Sequence, residues 1–204
     1  MHIIGFEPIY NQNSKVLIVG THPSPDGYKK GMFYSSKFNS FWKILDCVLN
    51  TNFCDSVNKL IAGGDNAKII DEIKLKLYAN KIAICDAIKE CDGGGTDSLI
   101  LNEVLRSEDE IKKIIVNSKI ETILCTSNEA MKYFKKIFSN NGKADTKRTI
   151  KTLQSYVGNV KLQEPIIEKL ISPSPMIKRC GISDEQRFLQ WKNLFAKAMQ
   201  KNNR

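Results

Sequence analysis

Apolar residues along the chain follow two alternating rhythms. Short unbroken runs at Val16-Leu17-Ile18-Val19, residues 82–84 and residues 120–125 predict strands buried on both faces. Residues 161–171 predict a fourth, interrupted by Pro165. Between these runs the apolar positions recur every three or four residues. Phe41, Trp42, Ile44, Leu45, Val48 and Leu49 mark a helix starting near Asn39, and Ile69, Ile70, Ile73, Leu75, Leu77 and Tyr78 mark another after the Gly63-Gly64 break. A last helix is predicted from Asp184 to about Met199, with Phe188, Trp191, Leu194 and Phe195 at helical spacing and Trp191 in the core. Ser107 with Glu110, Thr126 with Glu129 and Ser183 with Gln186 each fit a capping box, in which two side chains satisfy two otherwise unpaired backbone donors. Strands alternating with capped helices predict an α/β layered fold with a parallel sheet.

Two of these strands run directly into Ser-Pro loops. Gly20-Thr21-His22-Pro23-Ser24-Pro25 follows the first, and Ser172-Pro173-Ser174-Pro175 follows the fourth. In an open parallel sheet, ligands bind in the crevice at the carboxyl ends of the strands, so segments about 150 residues apart can build one site.

Composition narrows the classes. A chain of 204 residues with no long Pro/Gly/Ser linker is expected to form one domain, 1–204. Thirty-one Lys or Arg against twenty-two Asp or Glu gives a net charge of +9, which favours a polyanionic partner. The basic residues bunch at Lys29, Lys30, Lys37 and Lys43, then at Lys132, Lys135, Lys136, Lys143, Lys147, Arg148 and Lys151, two patches that a phosphate backbone could follow. The six cysteines, at 47, 54, 85, 91, 125 and 180, show no CxxC, and with only His2 and His22 beside them no metal site is expected. No signal segment or membrane-length apolar run is visible, so a reduced, cytoplasmic setting is expected.

The segment Gly31 to Trp42 holds the candidate chemistry. An aromatic-rich connection into a helix can set a ring against a planar ligand while Asn39 offers an amide donor and a carbonyl acceptor to a base edge. The same Asn39 can equally cap the helix, with Phe41 and Trp42 packed inward.

Gly20-Thr21-His22-Pro23-Ser24, the Phe33-Tyr34 pair, Asn39-x-Phe41-Trp42-Lys43-Ile44-Leu45, Ile84-x-Asp86, Gly95-x-Asp97-Ser98-x-Ile100 and Ser172-Pro173-Ser174-Pro175 occur in an order that resembles the uracil-DNA glycosylase superfamily. The branch it looks most like is the hypoxanthine-DNA glycosylase type, related to the mismatch-specific uracil glycosylases. The resemblance implies a three-layer α/β/α sandwich with a central four-stranded parallel sheet. It also implies hydrolysis of the N-glycosidic bond of a base flipped out of single- or double-stranded DNA, without metal or other cofactor. By the same resemblance Asn39 holds the base and supports catalysis, and Phe41 stacks on that base. Thr21, Tyr34 and Asp86 complete the base-binding set, while Ser24, Ser172, Ser174 and Lys178 contact phosphates. No obligatory protein partner is evident, and a monomer is expected.

The chain departs from the superfamily pattern where the attacking water is handled. Uracil glycosylases place Asp at the position of His22, the mismatch type places Asn, and the hypoxanthine branch usually has an apolar or small residue. A neutral His22 can orient or deprotonate water, or it can contact a phosphate. Ser172 stands where uracil glycosylases carry a histidine, so stabilisation of the base oxygen is not assigned there. Asp86 is either a buried acceptor organising the cleft or a direct participant. Gly93-Gly94-Gly95 would let its loop approach DNA closely, with Asp97 capping a following helix. Two alternatives stand beside excision of a deaminated base: removal of a hypermodified pyrimidine, such as glucosylated hydroxymethylcytosine, from foreign phage DNA, and a catalytically silent DNA-binding member of the fold.

Overall fold

The computed structural model describes residues 2–93, 100–137 and 165–200. Four strands, β2 (Val16–Gly20), β3 (Ile82–Asp86), β6 (Thr122–Cys125) and β7 (Ile166–Lys169), pair in parallel in the order β3-β2-β6-β7. All four lie within or beside the apolar runs that predict them. The sheet's side chains split by the period-two rule. Val16, Ile18, Ile82 and Ile84 enter one core, and Leu17, Val19, Ala83 and Cys85 enter the other.

Helices cover both faces. The first core takes α2 (Phe41–Leu49), α3 (Phe53–Ile61), α4 (Asn66–Ala79) and the last helix, α7 (Asp184–Gln200), which contributes Trp191, Phe195 and Ala198. The second takes α5 (Glu108–Val116) and α6 (Asn128–Ile137). This is an α/β/α sandwich around a parallel sheet, as expected, and Trp191 is fully buried in it. Among the described residues no helix is long and apolar enough to cross a membrane.

Several local features differ from the pattern-based expectation. A second sheet, antiparallel and ordered β1-β4-β5, is built from β1 (His2–Ile4), β4 (Ile88–Gly93) and β5 (Ile100–Arg106). The segment after Asp97 is therefore a strand and not the expected helix; Gly94, Gly95, Asp97 and Ser98 themselves lie outside the described residues. Of the three capping boxes only Ser183 with Gln186 closes reciprocally, at 3.2 Å and 2.8 Å. Ser107 makes no side-chain cap bond to α5, and Glu110 pairs with Lys89 instead. At α6 the cap is Ser127, whose Oγ accepts the Ala130 N–H at 2.9 Å. That one-residue shift releases Thr126 for another use.

Candidate functional site

The carboxyl ends of the parallel strands open into a cavity of about 420 Å3. β2, at the centre of the sheet, delivers the first Ser-Pro loop, whose start is pinned on both sides: Ile88 N–H donates to the Thr21 carbonyl at 3.0 Å, and Thr126 N–H donates to that of Val19 at 2.9 Å. Thr21, His22, Pro23 and Ser24 line one wall. Ser24 then caps the short helix α1 (Pro25–Lys30), its Oγ accepting the Gly27 N–H at 3.1 Å, with Pro25 at the first helical position and Gly31 closing the turn at φ 70°. Ser172, Pro173 and Ser174 line the facing wall. Ser174 repeats the device: its Oγ accepts the Met176 N–H at 3.3 Å and starts the 3-10 turn Pro175–Cys180, closed by Gly181 at φ 75°.

The floor is formed by Tyr34 and Asp86. Tyr34 adopts φ 54°, a backbone region costly for a bulky side chain, and such strain gathers where a ring must be held in one place. Its ring stacks on Phe41 with centroids 3.9 Å apart and planes 9° from parallel, and its hydroxyl lies 3.2 Å from Thr126 Oγ1. A Cβ on Gly20 would meet the Asp86 carboxylate and, at 2.6 Å, the Tyr34 hydroxyl oxygen, so only glycine lets these groups close over the strand end. Asp86 is 5% exposed.

Phe41 differs from its expected place. It begins α2 on the inward face, packs edge-on against Trp42 and Trp191, and is fully buried. The aromatic residues that line the cavity are Phe33 and Tyr34, with Phe41 backing the Tyr34 ring. Asn39 lines the cavity, and its Oδ1 accepts the Phe41 N–H at 2.9 Å. That bond fixes the amide so that Nδ2, a pure donor, is the group left for a ligand. His22 is half-buried; its Nδ1 lies 2.8 Å from the Pro23 carbonyl, which can only accept, so Nδ1 carries the proton and Nε2 is the basic nitrogen of the neutral ring.

Lys178 stands outside the cavity lining, exposed, with Nζ 2.7 Å from Asp184 Oδ2. Hydrogen bonds from Lys178 and Arg187 hold the Asp184 carboxyl below its ordinary range. Of the basic clusters, Lys30 donates to the Ile61 carbonyl and Lys132 pairs with Glu129, while Lys143, Lys147, Arg148 and Lys151 lie outside the described residues. Burial pushes the Cys85 thiol well up and the Cys125 thiol up to about 12, so both are core thiols and not nucleophiles.

Sequence patterning did not single out Thr126, Ser127 and Glu129 as site residues, yet they complete the wall at the end of β6. Ser127 Oγ lies 3.3 Å from Thr21 Oγ1, which links the ends of two neighbouring strands. A signal was present: Thr126-Ser127 follows an apolar run just as Gly20-Thr21 does.

Comparison with known proteins agrees with this geometry. Residues 7–194 match the uracil DNA glycosylase superfamily. Among curated proteins, a hypoxanthine DNA glycosylase of Methanosarcina acetivorans is 26% identical over 131 residues, covering 63% of this chain and 73% of that protein. One of Methanosarcina barkeri is 26% identical over 118 residues, 57% of this chain and 66% of that protein. The solution NMR structure of a Methanosarcina acetivorans protein, provisionally named a uracil DNA glycosylase, superposes with a TM-score of 0.63 at 19% identity, covering 98% of this chain and 99% of that one, a likeness of fold. Matched over most of its length, the chain belongs to the uracil DNA glycosylase superfamily.

Proposed function

We propose that the cavity receives a nucleobase turned out of DNA and that the protein hydrolyses its N-glycosidic bond to leave an abasic site, with hypoxanthine or uracil as the first substrates. The observation that carries this is the convergence of both Ser-Pro loops and Asn39 on one cavity at the carboxyl edge of the sheet. Membership supports glycosylase activity on deaminated or modified bases at the level of the superfamily. Two relatives named for hypoxanthine support the choice of base.

The chemistry follows from the donors. The anomeric carbon of a stacked nucleotide is out of reach, so the base must leave the helix. Tyr34 offers it a ring face, held flat by Phe41 behind. Asn39 Nδ2 donates to a carbonyl oxygen of the base. A deaminated base carries a carbonyl where its parent carries an amino group, so a pure donor favours the deaminated form. As the bond breaks, the base gains negative charge and the sugar becomes oxocarbenium-like; a fixed amide donor stabilises the first and the DNA phosphates the second. His22 lines the same wall, and its role in this reading is to orient the attacking water. Because Ser24 Oγ and Ser174 Oγ each accept a backbone N–H, their hydroxyl protons are left to donate to flanking phosphates.

One observation favours a second substrate. A cavity of about 420 Å3 is larger than one pyrimidine ring needs, and a hypermodified pyrimidine of foreign DNA would use the remainder.

The test is release of free base, identified by mass spectrometry, from duplexes carrying uracil, hypoxanthine, xanthine, hydroxymethylcytosine or its glucosylated form. Asn39→Ala should cut excision about a hundredfold or more, as loss of one preorganised donor does, while duplex affinity stays within a few-fold. Unchanged turnover in that variant sinks the assignment of Asn39. Tight duplex binding by the wild type with no base released from any substrate would mark a silent binder.

A further inference from the structure

We propose that Arg187 is a positioning residue, locking the second Ser-Pro loop to the Asn39 loop so that grip on the DNA backbone and placement of the base-reading amide are set together. The proposal rests on the glycosylase function given above.

Arg187 sits in the first turns of α7 and is 2% exposed, although it bears a charge. One nitrogen of its guanidinium, Nη1, donates to the Ser172 carbonyl at 3.3 Å and lies 3.5 Å from that of Ser174. The other, Nη2, donates to Ser40 Oγ at 3.3 Å and to Asp184. Ser40 follows Asn39 directly, and its own N–H donates to the Pro173 carbonyl at 3.0 Å. The planar fork therefore spans two loops that are otherwise joined here by one backbone bond, a geometry a lysine ammonium does not reproduce. One helical turn on, Gln190 and Trp191 take the Lys169 and Ile171 carbonyls at 2.9 Å and 2.8 Å, and Gln190 accepts the Ile171 N–H. The face of α7 thus holds the edge of the cavity carbonyl by carbonyl.

Energetics separate positioning from stability. A buried guanidinium is costly to desolvate, and its Nε has no hydrogen-bond partner among the described residues. Its carboxylate partner Asp184 is 60% exposed and also bound to Lys178, so removing Arg187 strands no buried charge. Arg187→Met, apolar and of similar length, is therefore expected to keep or raise the melting temperature while degrading the site.

The experiment compares wild type, Arg187→Met, Arg187→Lys and Ser40→Ala in single-turnover excision, duplex affinity, melting temperature and amide exchange at Ser40. Arg187→Met should slow excision about tenfold to a hundredfold, the scale of an ångström-sized misplacement, with weakened duplex binding and faster Ser40 exchange. In an Asn39→Ala background it should still weaken binding. Arg187→Lys should behave as Arg187→Met does, and Ser40→Ala should show a smaller loss of the same kind, which gives an answer even if Arg187→Met does not fold. Folded Arg187 variants with wild-type excision, affinity and Ser40 exchange overturn the proposal, as does a loss that merely tracks the folded fraction. If the wild type releases no base, the glycosylase function fails, while affinity and Ser40 exchange still decide whether Arg187 couples the loops.

Discussion

Ser24-Pro25 and Ser174-Pro175 open their helical turns alike. In each, a serine hydroxyl caps the turn, a proline takes its first position and a glycine in the left-handed region ends it. What holds them differs. The first leaves β2, a central strand flanked by β3 and β6, and backbone bonds from both neighbours fix its start. The second leaves β7, which among the described residues has one parallel neighbour, β6, and side chains of α7 bond the carbonyls that follow it. The same local code is thus placed by backbone bonds from two neighbouring strands at the first loop, and by two backbone bonds supplemented by helix side chains at the second.

Three substitutions sharpen that contrast. The largest effect is expected at the centre. Gly20→Ala drives a methyl group into Asp86 and Tyr34, so it should abolish base release and cost about 1–3 kcal/mol in thermal unfolding, the range of core overpacking. Wild-type excision by this variant would mean that the floor tolerates displacement. Next come the caps: Ser24→Ala should destabilise by about 1 kcal/mol in denaturant titration and Ser174→Ala by less, because the second turn is exposed and held from α7. Equal losses would show the two anchors to be equivalent.

The smallest effect concerns acid. Asp184 has its folded pKa lowered, so its contribution is present above its unfolded pKa and is lost as pH falls through the lower folded value. Amide exchange in residues 172–177 should accelerate only in that acid range, and Asp184→Asn should remove the dependence. Acceleration near neutral pH would assign it to another group.

What was legible in the sequence follows the range of the interactions involved. Strands β2, β3 and β6 were readable because burial on both faces leaves unbroken apolar runs, β7 only through its Ile166-Ile167 pair because its residues are partly exposed, and α4 and α7 because their periodicity is local. Helix α3 was not, since its start is capped from α2: Asp46 accepts the Phe53 and Cys54 N–H groups at 2.6 Å and 2.8 Å. β4 and β5 interleave charged residues and join a three-residue partner, leaving no run to read. At the site, Thr21, Tyr34, Asn39, Asp86 and the loop serines come together as their motifs suggested, although the roles given to them stand as proposals. Tyr34 and Phe41 exchange prominence because ring order depends on which face of α2 turns inward. Arg187 was invisible because its partners lie up to 147 positions away.

The cavity wall also has an order in time. Its contributors are spread from Thr21 to Cys180, and the helix that holds the second Ser-Pro loop follows all of them in synthesis. A nascent chain halted before Arg187 would carry Asn39 and both serine caps without the side-chain bonds that join their loops. The two loops are therefore joined in one late step, when α7 docks, and a half-made chain carries the wall of the cavity unassembled.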